Sequence, residues 1–185
     1  VRDFADEAMQ GAEGDLEKAV KLYYAVRDKI RYDPYYMSDN PDEYRASFVL
    51  EVKTGFCIQK AILLVACARA AGIPTGLGLS NVTNHMCSER LLSIMDGKSL
   101  FIHHGYATMY LDGRWVKAAP AFNIELCDRF DVLPTEFDGI SHALFQEFDK
   151  NGRLHMEYER DHGIWSDYPH ERVTNDFRDY YPETL

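Results

Sequence analysis

The chain has 185 residues, of which 46% are hydrophobic and 27% are charged, and its net charge is −10. These values are typical of one globular domain, spanning 1–185, and exclude a disordered chain. The acidic balance argues against a nucleic-acid-binding protein, which needs a basic face, and against an electrostatic membrane anchor. No apolar run reaches the roughly 20 residues of a transmembrane helix, and we expect no signal peptide at the start.

The four cysteines are Cys57, Cys67, Cys87 and Cys127. No two of them form a C-x-x-C pair, so a zinc ribbon or a redox dithiol is not predicted. Four cysteines are too few for a disulfide-dense scaffold, which favours a reducing, cytoplasmic location and leaves a periplasmic one open. We predict no cofactor.

The first third of the chain predicts helices separated by a polar loop. A weak helical pattern over 3–11 is followed by a strong one over 16–30, with Asp15 as its cap. Its apolar residues recur at helical spacing and form one stripe for core packing. Residues 37–45 are polar, and we expect a loop there.

The most informative stretch is the apolar helix predicted over 57–71. Cys57 opens it, and Gly72 and Pro74 are the stop signals that close it. A thiol in the first turn lies near the positive end of the helix dipole and beside free backbone N–H groups, which favour the nucleophilic thiolate. Cys57 is therefore a candidate catalytic nucleophile, whereas Cys67 is predicted to be an inert packing residue.

The middle of the chain predicts an antiparallel hairpin. A short strand over 75–80 precedes a helix or loop insertion over 86–98. Strands over 100–111 and 114–118 then flank Asp112-Gly113, a strong signal for a two-residue hairpin turn.

The last third is harder to predict. Residues 128–138 are expected to be irregular. A second hairpin is predicted from 143–148 and 154–159, around the turn residues 149–152, and a short helix is predicted over 168–179.

A nucleophilic thiol needs a base, and the base usually needs an orienting partner. His103 and His104 lie on the strand 100–111, where alternation places them on opposite faces. The hairpin turn pairs His104 with position 121, so its diagonal neighbours are Ala119 and Asn123. Alanine cannot orient an imidazole, whereas the Asn123 side-chain carbonyl can.

These residues carry a resemblance to the transglutaminase-like superfamily, in its bacterial-type form. The matching motifs are Gly55-x-Cys57 opening a helix that ends Arg69-Ala70-Ala71-Gly72-Ile73-Pro74, and His104-x-Tyr106 followed by Met109-Tyr110-Leu111-Asp112-Gly113-Arg114-Trp115-Val116. The resemblance covers most of a core from about 15 to 123. The extension over 124–185 holds no motif of the family.

The resemblance implies an α+β, papain-like fold, in which N-terminal helices and a central cysteine-bearing helix pack on an antiparallel β-sheet. It implies that Cys57 is the nucleophile and His104 the base. The third residue of the family, an aspartate before a proline, maps to Ala119. Either Asn123 replaces it, another residue does so, or only a dyad is left; Cys-His-Asn triads are chemically acceptable.

Three further residues are candidates for the walls of a substrate cleft. Tyr106 and Trp115 suit a cleft wall and suit a sheet core equally well. His85, next to Asn84, either joins the site or closes a loop. No ligand spacing supports a metal site among the histidines.

The leading functional prediction is a thiol-dependent amide hydrolase or acyl transferase, a cysteine peptidase or a transglutaminase-like enzyme, acting on a peptide or protein amide. Water as acceptor gives a hydrolase and an amine gives a transglutaminase. One alternative, favoured by Ala119, is a catalytically inactive binding or scaffold module. Another is a metal-dependent hydrolase. The sequence does not define the oligomeric state.

Overall fold

The computed structural model describes residues 1–145 and 147–182. A central helix lies between a group of helices and a four-stranded antiparallel sheet with strand order β5-β4-β3-β6. The helices are α1 Arg2–Ala8, α2 Gly14–Lys29, α3 Ala46–Val52, α4 Cys57–Ala70, α5 Glu89–Ile94, α6 Ile124–Phe130 and α7 His170–Tyr180. The sheet strands are β3 Thr75–Asn84, β4 Leu100–Leu111, β5 Arg114–Ala118 and β6 Met156–Trp165, and two short parallel strands are β1 Arg31–Tyr32 and β2 Thr54–Gly55.

Helix α4 is the centre of the core, as its apolar sequence predicts. It contacts β4 on one side and α2 and α3 on others, so most of its side chains are buried. The chain leaves it at Gly72, whose φ of +83° is a left-handed conformation that favours glycine. The Ile73 N–H then donates to the Ala68 carbonyl at 2.9 Å, which closes the last turn.

The predicted hairpin between β4 and β5 is confirmed. Leu111 pairs with Arg114, and the ladder continues to the pair of Ala107 with Ala118. It ends there, because the Ala119 N–H donates instead to the Ala143 carbonyl at 2.7 Å. The predicted pairing of His104 with position 121 is therefore not formed.

A β-bulge interrupts β4 beside its two histidines. Ser80 pairs with His104, but Val82 pairs with Phe101, so one extra residue of β4 opposes Asn81. His103 adopts a φ of +56° in this bulge, a left-handed conformation that is uncommon for a residue with a side chain. Simple alternation therefore does not describe where the two histidines point.

The C-terminal third differs from the sequence prediction in its pairing. The turn of the predicted second hairpin is present, with an antiparallel bridge between Phe148 and Leu154 and a 2.7 Å hydrogen bond from the His155 N–H to the Glu147 carbonyl, but the described residues of 143–148 form no strand. The chain instead forms β6, which runs antiparallel along β3. A long ladder that covers the open edge of the sheet is favoured over a short local hairpin.

Helices α3 and α6 were not predicted, and both are short. The predicted loop over 37–45 contains a single 3₁₀ turn, Pro41–Tyr44. The predicted helices near both ends are present as α1, α2 and α7, with bounds that differ by one to three residues. In the described part of the chain, no helix is long and apolar enough to cross a membrane.

Candidate active site

Cys57 is the first residue of α4, and a buried glutamine fixes the helix start. The Phe56 N–H donates to Gln59 Oε1 at 3.0 Å, and Gln59 Nε2 donates to the Glu43 carbonyl at 3.0 Å. The side chain of Gln59 thus satisfies one backbone N–H that a helix start leaves free. A Cβ on Gly55 would lie 3.0 Å from Gln59 Oε1, so glycine leaves room for this arrangement. Sequence reasoning missed Gln59, although glutamine three residues after a helix cap is a known signal.

A buried lysine ties the start of α4 to the end of α2. Lys60 has no exposed surface, and its Nζ donates to the carbonyls of Arg27 at 2.8 Å and Ile30 at 2.5 Å. These carbonyls lie at the C-terminal end of α2, where a positive group is favourable. Burial nevertheless lowers the pKa of Lys60 to about 7.

The Cys57 thiol is buried, with 7% of the residue exposed. Burial raises its pKa to about 11, and the backbone N–H groups of Gly105, Ile58 and Cys57 itself oppose that shift only in part. The sequence predicted that the helix start would favour a thiolate. Desolvation outweighs that effect, so the resting group is a thiol at neutral pH and needs a base before it can attack.

Gly105 brings strand β4 into backbone contact with the start of α4. A Cβ at this position would lie 2.7 Å from Ile58 Cα and 3.2 Å from the Cys57 carbonyl oxygen. No real side chain tolerates the shorter distance, so only glycine allows this approach. The residue that immediately precedes Gly105 on the strand is His104, so the contact brings the backbone of His104 close to the start of α4.

Replacing Gly105 by alanine is expected to destabilise the fold by about 1–3 kcal/mol, the range for overpacking a rigid contact. The clash is with backbone, so β4 and α4 must separate, and the distance between Cys57 and His104 must grow. Urea unfolding measures the first effect. An unchanged midpoint and slope would contradict the close approach.

His104 is almost completely buried in an aromatic environment. Its ring centroid lies 4.7 Å from that of Phe145 and 6.1 Å from that of Tyr158. Burial lowers its pKa to about 3, so the ring is neutral at physiological pH and has a lone pair available. Its Nε2 atom is buried and has no hydrogen-bond partner among the described residues.

The structure does not place Asn123 on the imidazole of His104. Its Oδ1 accepts the backbone N–H of Tyr32 at 3.1 Å, and the residue immediately precedes α6 without a side-chain capping bond to that helix. Ala119, at the position of the family aspartate, has no polar side chain, and its carbonyl accepts from the Tyr23 hydroxyl at 3.2 Å. The predicted hydrogen bond from His104 to Asn123 is therefore absent in this structure, and His104 has no orienting partner from either position.

The neighbouring histidine does have a carboxylate. His103 Nε2 lies 2.6 Å from Asp176 Oδ2 on α7, and its ring lies tilted against that of His162, at 4.5 Å between centroids. Burial lowers the pKa of His103, and Asp176 opposes that shift. Asn81 Oδ1 accepts the His103 backbone N–H at 3.3 Å. Nothing in the sequence indicated Asp176, because it lies 73 residues away in a segment without a motif.

The three other candidate residues lie away from the thiol. Tyr106 is buried, lies over Gly78 of β3 and donates to Asp161 of β6 at 3.0 Å, so it packs against those two strands. Trp115 is 50% exposed on the hairpin. His85 Nε2 lies 3.0 Å from Glu157 Oε2 at the surface. None of the three lines a cleft that contains Cys57 or His104.

Two adjoining clefts surround the candidate catalytic residues. One contains Cys57 and the other contains His104, and they share Tyr32, Leu91 and Phe101 as walls. The described walls of the Cys57 cleft are otherwise Pro34, Met37, Phe56, Ile94, Met95, Ile102, Phe177 and Tyr181. Those of the His104 cleft are otherwise Val82, Asn84, Phe122, Phe145 and Met156.

Among the described residues, no group of three or more histidine, cysteine, aspartate or glutamate side chains is placed to hold a metal ion. The chemistry available at the site is that of a protonated thiol, a neutral imidazole and backbone N–H groups that point at the sulfur. These are the groups that acyl transfer through a covalent thioester requires.

A cysteine at a helix start, held against a histidine-bearing antiparallel strand, defines the site of a papain-like α+β protein. The sequence matches the model of the transglutaminase-like superfamily over residues 2–120. The chain belongs to that superfamily, which is typically enzymatic and is of the thiol-dependent hydrolase and acyltransferase kind. No curated protein sequence matches the chain.

Solved structures of other proteins resemble this fold. The arylamine N-acetyltransferase from Salmonella typhimurium is similar over 99% of this chain and 70% of its own, at 10% identity and a TM-score of 0.53. A protein from Cytophaga hutchinsonii described as a "Putative Cysteine Protease" matches over 90% of this chain at 12% identity and a TM-score of 0.49. One from Parabacteroides distasonis described as a "Putative Protease" matches over 63% at 18% identity and a TM-score of 0.44. This chain spans 51% and 22% of those two proteins. The predicted α+β, papain-like fold class is confirmed.

Proposed function

We propose that the protein is a thiol-dependent acyl-transfer enzyme that acts on an amide of a peptide or protein. Cys57 attacks the carbonyl carbon, and His104 accepts the thiol proton and returns it to the leaving amine. The resulting thioester on Cys57 then transfers its acyl group to water or to a second amine. The backbone N–H groups of Gly105 and Ile58 near the sulfur are suited to stabilise the oxyanion.

One observation carries this proposal: the backbone contact between Gly105 and the first turn of α4. It sets the nucleophile beside the strand residue that follows the histidine, and only glycine permits the approach. His104 is buried and neutral, so for it to act as the base the imidazolium that forms must be stabilised by the thiolate that forms with it.

Hydrolysis is the favoured outcome, because it requires no second substrate site. If an added primary amine accelerates deacylation and forms an amide product, the acceptor is an amine, and the protein is a transglutaminase. If the amine changes neither the rate nor the product, the protein is a peptidase or amidase.

The proposal is tested with p-nitrophenyl acetate, an ester that acylates active thiols. We expect a burst of nitrophenolate equal to one acyl group per chain, the kinetic sign of an acyl-enzyme. Mass spectrometry of a digest is expected to place the acetyl group on Cys57. The Cys57→Ala variant is expected to lose the burst.

A matched control is Cys87→Ala, because Cys87 is a more exposed thiol outside the described walls of both clefts. That variant is expected to keep the full burst. A burst that survives in Cys57→Ala, or no burst in the wild type, would overturn the proposal. The second result favours the alternative of an inactive binding module, for which Ala119 is the supporting feature.

Two further proposals concern the cellular location and the domain organisation of the protein. We propose a cytoplasmic location, supported by four cysteines that are all free thiols in the structure. We also propose that the chain acts as a single transglutaminase-like domain, since the extension after residue 123 supplies a sheet strand and walls of both clefts.

A further inference from the structure

The cleft over Cys57 is lined almost entirely by apolar side chains. It encloses about 470 Å³ of empty space, part of it open to solvent. Because the sulfur is part of its wall, a group bound covalently to Cys57 is placed directly in this space.

The walls carry no formal charge. Among the described residues that line the cleft, none is a lysine, arginine, aspartate, glutamate or histidine. Besides the thiol, its polar side-chain atoms are the hydroxyls of Tyr32 and Tyr181. The Tyr181 hydroxyl is already engaged, since it donates to the Leu100 carbonyl at 2.5 Å and accepts from the Ile102 N–H at 3.0 Å. A charged substrate group in this cleft would lose its hydration without gaining a partner.

We infer that the cleft over Cys57 holds the acyl portion of the substrate, and that this acyl group is uncharged and apolar, either aliphatic or aromatic. The inference rests on the proposed function. In the step concerned, the sulfur–carbonyl bond forms, the bond from the carbonyl to the leaving group breaks, and the thiol proton passes through His104 to the leaving group. The acyl chain then lies against the side chains of Met37, Met95 and Phe177.

The arrangement of these walls favours chain-length selection. Met95 at the end of α5 and Phe177 on α7 are both buried, at 5% and 3% exposure. Met95 lies between the cysteine motif and the histidine motif of the family, and Phe177 lies after both. Methionine side chains adapt their shape to apolar ligands. Each methylene that leaves water for such a wall adds favourable transfer free energy to the acylation transition state.

The test compares the rate of Cys57 acylation by p-nitrophenyl esters of acetate, butyrate and hexanoate and by the p-nitrophenyl monoester of succinate. Rates are corrected with the Cys57→Ala variant. We expect butyrate to acylate at least about tenfold faster than acetate, as burial of two methylenes implies. We expect succinate, which is similar in length but carries a carboxylate, to acylate at least about tenfold slower than butyrate.

Met37 lies outside the helices and the strands of the sheet, so Met37→Lys places a cation in the cleft wall without replacing a residue of either. It is expected to reduce the ratio of the butyrate rate to the succinate rate at least about fivefold. Met86→Lys is the control, because Met86 is half-buried but lies outside the described walls of the cleft. It is expected to leave the ratio unchanged.

The outcomes separate the two proposals. Equal rates across the ester series, with the acyl group still on Cys57, would overturn the apolar acyl cleft and leave the thiol enzyme standing. Faster acylation by succinate than by butyrate would do the same. If no ester in the series acylates Cys57, the proposed function itself fails.

Discussion

Replacing His104 by glutamine is expected to slow acylation of Cys57 by about 10²–10⁴-fold, the range for loss of a general base. The reason lies in the nucleophile: burial raises the pKa of Cys57 to about 11, so almost no thiolate is present at pH 7 without a base. Glutamine keeps a polar side chain of similar length but has no basic nitrogen. The measurement is the burst rate with p-nitrophenyl acetate at pH 7, after thermal unfolding has shown that the variant is folded.

The matched variants are His103→Gln and Asp176→Asn, which change the adjacent hydrogen-bonded pair. We expect both to leave the acylation rate within about threefold of the wild type, because groups that do not contact the reacting atoms lower no barrier. If His103→Gln instead abolishes the burst while His104→Gln retains it, the base is the histidine that is paired with Asp176 at 2.6 Å.

The pH profile gives a second measure of the same assignment. Burial lowers the pKa of His104 to about 3, so this base loses its lone pair only in strong acid. We therefore expect no acid limb from His104 between pH 5 and 8. An acid limb near the ordinary histidine pKa of about 6.5 would show that a more exposed imidazole is the base.

Replacing Lys60 by methionine is expected to destabilise the fold by about 2–4 kcal/mol at pH 9, because two buried helix-end carbonyls lose their donor. The two lost hydrogen bonds are those from Nζ to Arg27 and Ile30. Methionine keeps most of the volume, so the loss reports the polar contacts rather than a cavity. Urea unfolding measures the effect. Lys18→Met in α2, at a partly exposed lysine, is the control and is expected to change stability by less than about 0.5 kcal/mol.

The deficit of Lys60→Met is expected to depend on pH. The pKa of Lys60 is about 7 in the folded state, below the ordinary lysine value of 10.5, so the unfolded chain binds the proton more tightly. Stability therefore rises with pH between about 7 and 10.5, by up to about 1.4 kcal/mol per pH unit. Methionine does not titrate, so the stability of the variant lacks this rise with pH. The stability difference between Lys60→Met and the wild type should therefore be larger at pH 9 than at pH 7. An identical deficit at both values would contradict a lowered lysine pKa.

The parts of the fold that local sequence signals dictate were predictable. An apolar helical pattern bounded by Cys57 and Gly72 gave α4, and Asp112-Gly113 gave the register of β4 with β5. Two short helices, α3 and α6, were missed, because a helix of seven residues shows less than two full periods of its pattern. The pairing of β6 with β3 was missed for another reason: long-range strand pairing depends on which sheet edge is open, and that is not encoded locally.

For the candidate site too, the residues marked by local sequence patterns were predictable, whereas contacts between distant segments were not. The family pattern singled out Cys57 and His104, and the contact at Gly105 is consistent with that choice. The expected role of Asn123 assumed that the ladder continues past Ala118, whereas Ala119 bonds to the Ala143 carbonyl and Asn123 turns to Tyr32. The partner of His103 could not be predicted, because one extra residue in β4 and a helix 73 residues away determine it.

The pairing of β6 with β3 has a consequence for the order in which the molecule assembles. Partners in this ladder, such as Val82 and Tyr158, are separated by 76 residues, so their encounter closes a long loop and is intrinsically slow. Until it happens, one edge of β3 is unpaired, and Phe145, Met156 and Phe177 have not reached the two clefts. During synthesis the cysteine-bearing helix and the hairpin emerge first, and the aromatic walls arrive last. Phe177 and Tyr181 complete the wall around the thiol only when the final segment docks, so Cys57 is less shielded from water until then.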